Sequence, residues 1–190
     1  MESIYAIILI NVLVYIGAFF RTNELLEWMA LSPSDVWSYP WTIVTSMFMH
    51  YNLMHLLFNM WALYFFGSAV LKILGVRRFW LIYMVGGIVG SLTYVLLGSP
   101  YSFVIGASGA IFALGGALAV LRPQVKVVFF PIPIQMPLWA GILLNFAILT
   151  LITIVLDLSI AWQSHLGGLV FGAAAGWFFR RRTLNTYRWN

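Results

Sequence analysis

The chain has 190 residues, 63% of them hydrophobic and only 8% charged, with a net charge of +5 and no cysteine. Apolar runs long enough to cross a bilayer recur along its whole length, which excludes a water-soluble globule. The missing cysteine excludes disulfides and thiolate sites, and the basic residues cluster at the ends of apolar runs, where they meet lipid head groups and are no nucleic-acid signal.

The first apolar stretch, 4–20, follows Met1-Glu2-Ser3 without a basic leader or a small-x-small cleavage site, so it is expected to be a retained span and not a signal peptide. The connection 21–51 carries Glu24, Glu27, Asp35, Pro33, Pro40 and several tryptophans, a mixture that predicts a segment lying partly in the membrane interface. A second stretch, 52–71, ends at Lys72. Arg77 and Arg78 open the third, 79–97. Gly98-Ser99-Pro100 marks a turn, and the uncharged segment 101–105 after it is expected to dip into the membrane. The fourth stretch, 107–121, is short and stops at Arg122-Pro123. A connection holding Lys126, Pro131 and Pro133 leads to the fifth, 137–156, which ends at Asp157. The sixth, 164–179, ends at Arg180-Arg181-Arg182. The expected fold is a single all-α polytopic membrane domain over residues 1–190, a bundle of six helices with a short central fourth.

Charge placement predicts the orientation. With the amino terminus inside, Lys72, Arg77, Arg78, Arg122, Lys126, Arg180, Arg181, Arg182 and Arg188 all fall in inside segments, and only Arg21 falls outside. The positive-inside rule then puts both termini of this multi-pass cell-membrane protein in the cytoplasm. The second, fourth and sixth spans all run from outside to inside.

Those three spans hold the polar residues of interest. His55 and Asn59 are four apart and share a helix face, whereas His50 points elsewhere or precedes the helix. Ser108 opens the fourth span between Gly106 and Gly109, and Ser164-His165 opens the sixth. Asn59 lies about 13 residues before Lys72, Ser108 about 14 before Arg122 and His165 about 15 before Arg180; at ~1.5 Å per residue all three reach one level, about 20–22 Å above the inner boundary of a core about 30 Å thick. Small residues recur every fourth position along the sixth span, at Ser164, Gly168, Gly172 and Gly176. A matching stripe, Gly109, Ala113 and Gly116 or Ala117, runs down the fourth. Such stripes let backbones approach closely. If they meet, Ser108 comes within reach of His165.

A histidine beside a serine can act as general base and activate the hydroxyl. The free N–H groups at the start of the fourth span, with Asn59 and His55, could hold an oxyanion. Phe112, four after Ser108, could stack on the His165 ring. No carboxylate lies at this depth, so a Ser-His dyad is expected in place of a triad. The site should open outward through a wet cavity, because hydrolysis needs water. Asn11 and Asn145 fit no such motif and are expected to bridge helices.

These residues resemble the rhomboid intramembrane serine proteases of the six-span prokaryotic form. The resemblance rests on Gly106-x-Ser108-Gly109 in the fourth span, His165-x-x-Gly168 in the sixth, and His50-x4-His55-x3-Asn59 at the second, and it covers nearly the whole chain. It implies a nucleophile at Ser108 and a base at His165. It implies an oxyanion hole of His55, Asn59 and the Ser108 backbone, supported by His50, Gly106, Gly109, Phe112 and Gly168. It implies a serine endopeptidase without metal or other cofactor, cutting single-span membrane proteins near the outer end of their helix. The chain departs from the family pattern at Trp41-Thr42, where the family often has Trp-Arg, at Ser164, often alanine, and at Phe112, often tyrosine.

Three other classes compete. A metal-dependent membrane hydrolase would use His50, His55 and His165, yet His-Glu-x-x-His is absent. A transporter would bring inverted repeats or paired broken helices, and neither is visible. An inactive relative that binds clients without cutting them typically lacks the serine or the histidine.

Overall fold

The computed structural model describes residues 1–129, 133–156 and 161–186. Pro131, Asp157 and Arg188 lie outside them, as do the side chains of Arg181 and Arg182.

Helices occupy the six apolar stretches. They are α1 (Glu2–Phe20), a second rod made of α4 (Leu53–Ala62), one π-helical turn (Leu63–Gly67) and α5 (Ser68–Leu74), then α6 (Val76–Leu97), α7 (Ser108–Leu121), α8 (Leu138–Leu156) and α9 (Trp162–Thr186). Local chemistry sets the boundaries. Asn52 caps α4, its side chain accepting from the His55 backbone N–H at 2.8 Å. Gly75, at φ +80°, turns the chain between α5 and α6 in a conformation that side chains with a Cβ disfavour.

Among the described residues, four rods are long and apolar enough on their own to cross a membrane: Glu2–Phe20, Leu53–Leu74, Val76–Leu97 and Leu138–Val155. The other two differ for physical reasons. α7 has 14 residues, about 21 Å at ~1.5 Å per residue, shorter than a bilayer core. It is surrounded by protein instead. Gly109, Ala110, Ile111, Ala113, Leu114, Gly115, Gly116, Ala117 and Leu118 are all buried, so it is the central helix of the bundle. α9 has the length, with 25 residues, but carries polar residues at both ends.

α7 packs most extensively against α9, and both pack against α6. The two small-residue stripes form the seam. A Cβ on Gly168 would collide with the Gly109 carbonyl, one on Gly172 with the Ala113 carbonyl, and one on Gly176 would lie 2.6 Å from the Ala117 carbonyl oxygen. α6 closes the third side with Gly86 against Ala113 and Gly90 against Ser164. Large side chains fill the other half of the core, among them Ile4, Leu63, Val70, Phe79, Ile82 and Tyr83, all fully buried.

The connections hold more structure than expected. Between α1 and α4 come α2 (Thr22–Met29), α3 (Thr42–Thr45) and a 3-10 turn (Ser46–Phe48). Trp28 and Trp41 stack at 5.7 Å, and the Trp41 indole donates to the Trp28 carbonyl at 2.8 Å. Between α7 and α8, β1 (Lys126–Phe129) pairs antiparallel with β2 (Ile134–Pro137), Val127 opposite Met136. This strand pair lies in a connection between two helices of the all-α bundle, where the β-branched residues Val127, Val128 and Ile134 fit a pleated surface. Asn11 is buried and donates to the Ile7 carbonyl of its own helix at 2.8 Å. Asn145 is exposed on α8, against the expectation that it bridges helices.

Candidate active site

The loop before α7 brings Ser108 to its position. Leu31 and Val104 form an isolated antiparallel bridge, with N–H to carbonyl distances of 3.1 and 2.9 Å, which ties this loop to the first connection. Two residues on, the Gly106 N–H donates to the Ser46 carbonyl at 2.8 Å. Gly106 stands at φ +124°, and a Cβ there would lie 2.8 Å from two atoms of the His55 ring. Glycine therefore serves both backbone shape and the close approach of His55. Ser108 follows as the first residue of α7, with the unpaired N–H groups of a helix start around it.

Ser108 Oγ lies 2.7 Å from His165 Nε2 across the α7–α9 seam. His165 is buried, and Phe112 stacks on its ring at 4.6 Å with 26° between the planes. Nδ1 of His165 has no hydrogen-bond partner, carboxylate or other, among the described residues. For Nε2 to accept the serine proton, Nδ1 must carry the ring hydrogen. Gly109 and Gly168 hold the two helices at this spacing. A Cβ on Gly109 would lie 2.6 Å from Ser164 Oγ, so the serine preceding His165 fills space that two glycines leave open.

The second rod supplies the remaining groups. The His55 ring lies against Gly106. Its Nδ1 faces the Tyr51 N–H at 3.5 Å, a long contact that leaves Nε2 as the donor nitrogen. Asn59 is buried one turn on, and its Nδ2 donates to the His55 carbonyl at 2.8 Å. That bond uses one amide hydrogen and leaves the second. His50 precedes the helix and does not point away: its ring meets His55 edge-on at 4.9 Å. Burial, and after it the nearby charge of His55, push the His50 imidazole from 6.5 down to about 3, against a lesser opposing pull from the Phe48 backbone. His50 is therefore neutral at physiological pH.

The three elements thus bring Ser108, His165, His55, Asn59, His50, Gly106, Gly109, Phe112 and Gly168 to one end of the bundle. Among the described residues no three His, Asp or Glu side chains converge to hold a metal ion. Three contributors had no sequence signal: the Ser46 carbonyl, the Leu31–Val104 bridge, and Phe146, whose ring meets Phe112 edge-on at 6.2 Å. A backbone carbonyl or a single bridge leaves no mark on residue type.

The family model for the rhomboid domain matches residues 38–182, from the first connection into α9. The chain belongs to the rhomboid family. It is 29% identical over 184 residues to rhomboid protein 1, mitochondrial, of Saccharomyces cerevisiae, covering 94% of this chain and 53% of that protein. It is 45% identical over 78 residues to rhomboid protease GluP of Bacillus subtilis, covering 41% of this chain and 15% of that one. With the human presenilin-associated rhomboid-like protein, mitochondrial, it shares 30% over 138 residues, 68% of this chain and 35% of that protein. The chain thus spans about half or less of the length of these relatives. Membership supports an intramembrane protease at the family level. One departure from the rhomboid pattern has a local account: Thr42 is buried, and its hydroxyl donates to the Tyr39 carbonyl at 2.6 Å.

Proposed function

We propose that this rhomboid is an intramembrane serine endopeptidase in which Ser108 is the nucleophile and His165 the general base. The observation that carries this is the 2.7 Å contact between Ser108 Oγ and His165 Nε2. His165 Nε2 takes the hydroxyl proton as Oγ attacks the scissile carbonyl carbon. The oxygen of the tetrahedral intermediate then carries the negative charge. The Ser108 N–H, His55 Nε2–H and the second Asn59 amide hydrogen are the donors for it. His165 returns the proton to the leaving amine as the C–N bond breaks, which leaves an acyl-serine. Water, deprotonated by the same imidazole, attacks the ester and releases Ser108.

The substrates are transmembrane proteins cut near the end of the helix that lies level with Ser108. With the basic ends of the rods in the cytoplasm, that level is the extracytoplasmic half of the bilayer, and both termini are cytoplasmic. The departures at Thr42, Ser164 and Phe112 leave all the reacting atoms in place.

The test is cleavage of a fluorogenic transmembrane substrate, with labelling by a fluorophosphonate probe. Ser108→Ala is expected to abolish cleavage while the protein stays folded in detergent, and His165→Ala to block labelling of Ser108. Full activity in Ser108→Ala refutes the assignment. A folded wild-type chain that neither cleaves nor labels is an inactive client binder. Cleavage that a chelator stops and Ser108→Ala does not would favour the histidine-based metal hydrolase.

A further inference from the structure

A cavity of about 670 Å³ opens where the start of α1 meets the second rod, at the end of the bundle that carries Lys72. Its lining begins at Tyr64, past Asn59 along the rod, and includes none of Ser108, His165, His55 and Asn59. Met1, Tyr5, Tyr64, Phe65 and Leu71 form largely apolar walls, and Ser68 and Lys72 add polar groups.

Three features separate it from an ordinary crevice between helices. The rod leaves α geometry here: Tyr64 and Phe65 lie in the π-helical turn Leu63–Gly67, and such turns inside α-helices recur at functional sites. Ser68 Oγ is buried without a hydrogen-bond partner among the described residues. Lys72 is exposed and in no ion pair among the described residues, and no carboxylate lines the cavity. An apolar trough with two tyrosines in its walls, ending in a cation that has no ion pair among the described residues, matches one molecule the bilayer supplies in quantity. Acyl chains fill such walls, tyrosines sit at head-group depth, and ammonium groups pair with lipid phosphate. The absence of a lining acid favours a head group of net negative charge over a zwitterion.

We propose that this cavity binds an anionic glycerophospholipid of the adjacent leaflet, with its phosphate at Lys72 and an acyl chain along Phe65 and Leu71. Bound there, the lipid bridges α1 to the rod that carries His55 and Asn59 at its other end.

The experiment is native mass spectrometry of the full chain in detergent, titrated with phosphatidylglycerol or with phosphatidylcholine of the same chains. The first phosphatidylglycerol is expected to bind about 5-fold tighter than phosphatidylcholine, the worth of one basic residue near an anionic head group. Lys72→Gln, an exposed substitution that leaves the fold alone, removes that preference. Arg77→Gln, exposed at the same end but outside the cavity, keeps it. Leu71→Trp fills the cavity with every charge in place and lowers phosphatidylglycerol affinity by a similar factor. The proposal is overturned if Lys72→Gln keeps the preference or if Arg77→Gln loses it equally. It is overturned too if Leu71→Trp binds phosphatidylglycerol as the wild type does, because surface charge alone would then hold the lipid.

Discussion

Two residues carry the sharpest expectations at the level of single side chains. Asn59 has one amide hydrogen committed to the His55 carbonyl, so its share in oxyanion binding rests on the other. Asn59→Ala is expected to lower kcat by about 10²–10³-fold at most, as loss of one oxyanion donor does, while Ser108 still takes the fluorophosphonate. An unchanged kcat would mean that Asn59 serves packing within its own helix and not the chemistry. His50 makes a prediction about stability. Its folded value is depressed to about 3 against 6.5, so the unfolded chain binds the proton more readily. Its contribution is therefore whole above pH 6.5 and is lost as pH falls from there toward about 3. Thermal unfolding in detergent should show the melting temperature dropping across that window. His50→Phe should show a shallower drop, since the variant has no imidazole to protonate. Equal slopes in the two proteins would rule His50 out as the cause.

At the scale of elements, the α7–α9 seam decides whether the serine and the imidazole meet. Along it, backbone stands where side chains would ordinarily be, and a Cβ on Gly172 would overlap the Ala113 carbonyl. Gly172→Val is therefore expected to cost about 1–3 kcal/mol or more, the scale of overpacking a close-packed core. Because it forces apart the helices that hold Ser108 and His165, cleavage should fall along with the melting temperature. Gly17→Ala in α1 is the contrast. The nearest atom to a Cβ there is 3.8 Å away, and alanine is favoured over glycine in a helix by about 1 kcal/mol. That variant should melt no lower than wild type. If both variants melt alike, close approach is not what holds the seam. The stripe was legible as a four-residue period of small residues. The pairing of β1 with β2 was not, because two prolines and a short β-branched run are equally consistent with an irregular loop.

For the whole molecule, the testable quantity is orientation. The native chain has no cysteine, so single engineered cysteines report without background. Ser3→Cys and Gln124→Cys should react with a membrane-impermeant maleimide only after cells are opened, and Ser99→Cys in intact cells. The opposite pattern would put the Ser108 level on the cytoplasmic side and overturn the positive-inside reading.

Composition and hydropathy alone determined that the chain lives in a bilayer as a bundle of helices. In hydrocarbon, every backbone polar group must be satisfied within its own segment, and that constraint is written in residue type. The same scarcity of polar side chains made Ser108, His165, His55 and Asn59 conspicuous, since each is costly there without a partner. What only the tertiary structure decided is how they face one another. The Nε2 of His165 turns to Ser108, His50 turns toward His55, the Asn59 amide folds back on its own helix, and the Ser46 carbonyl and Leu31–Val104 bridge hold the loop that presents the serine. Those are matters of rotamer and of backbone pairing between distant segments. Any residue can offer a carbonyl or an N–H, so nothing in the order of the residues marks where such bonds will form.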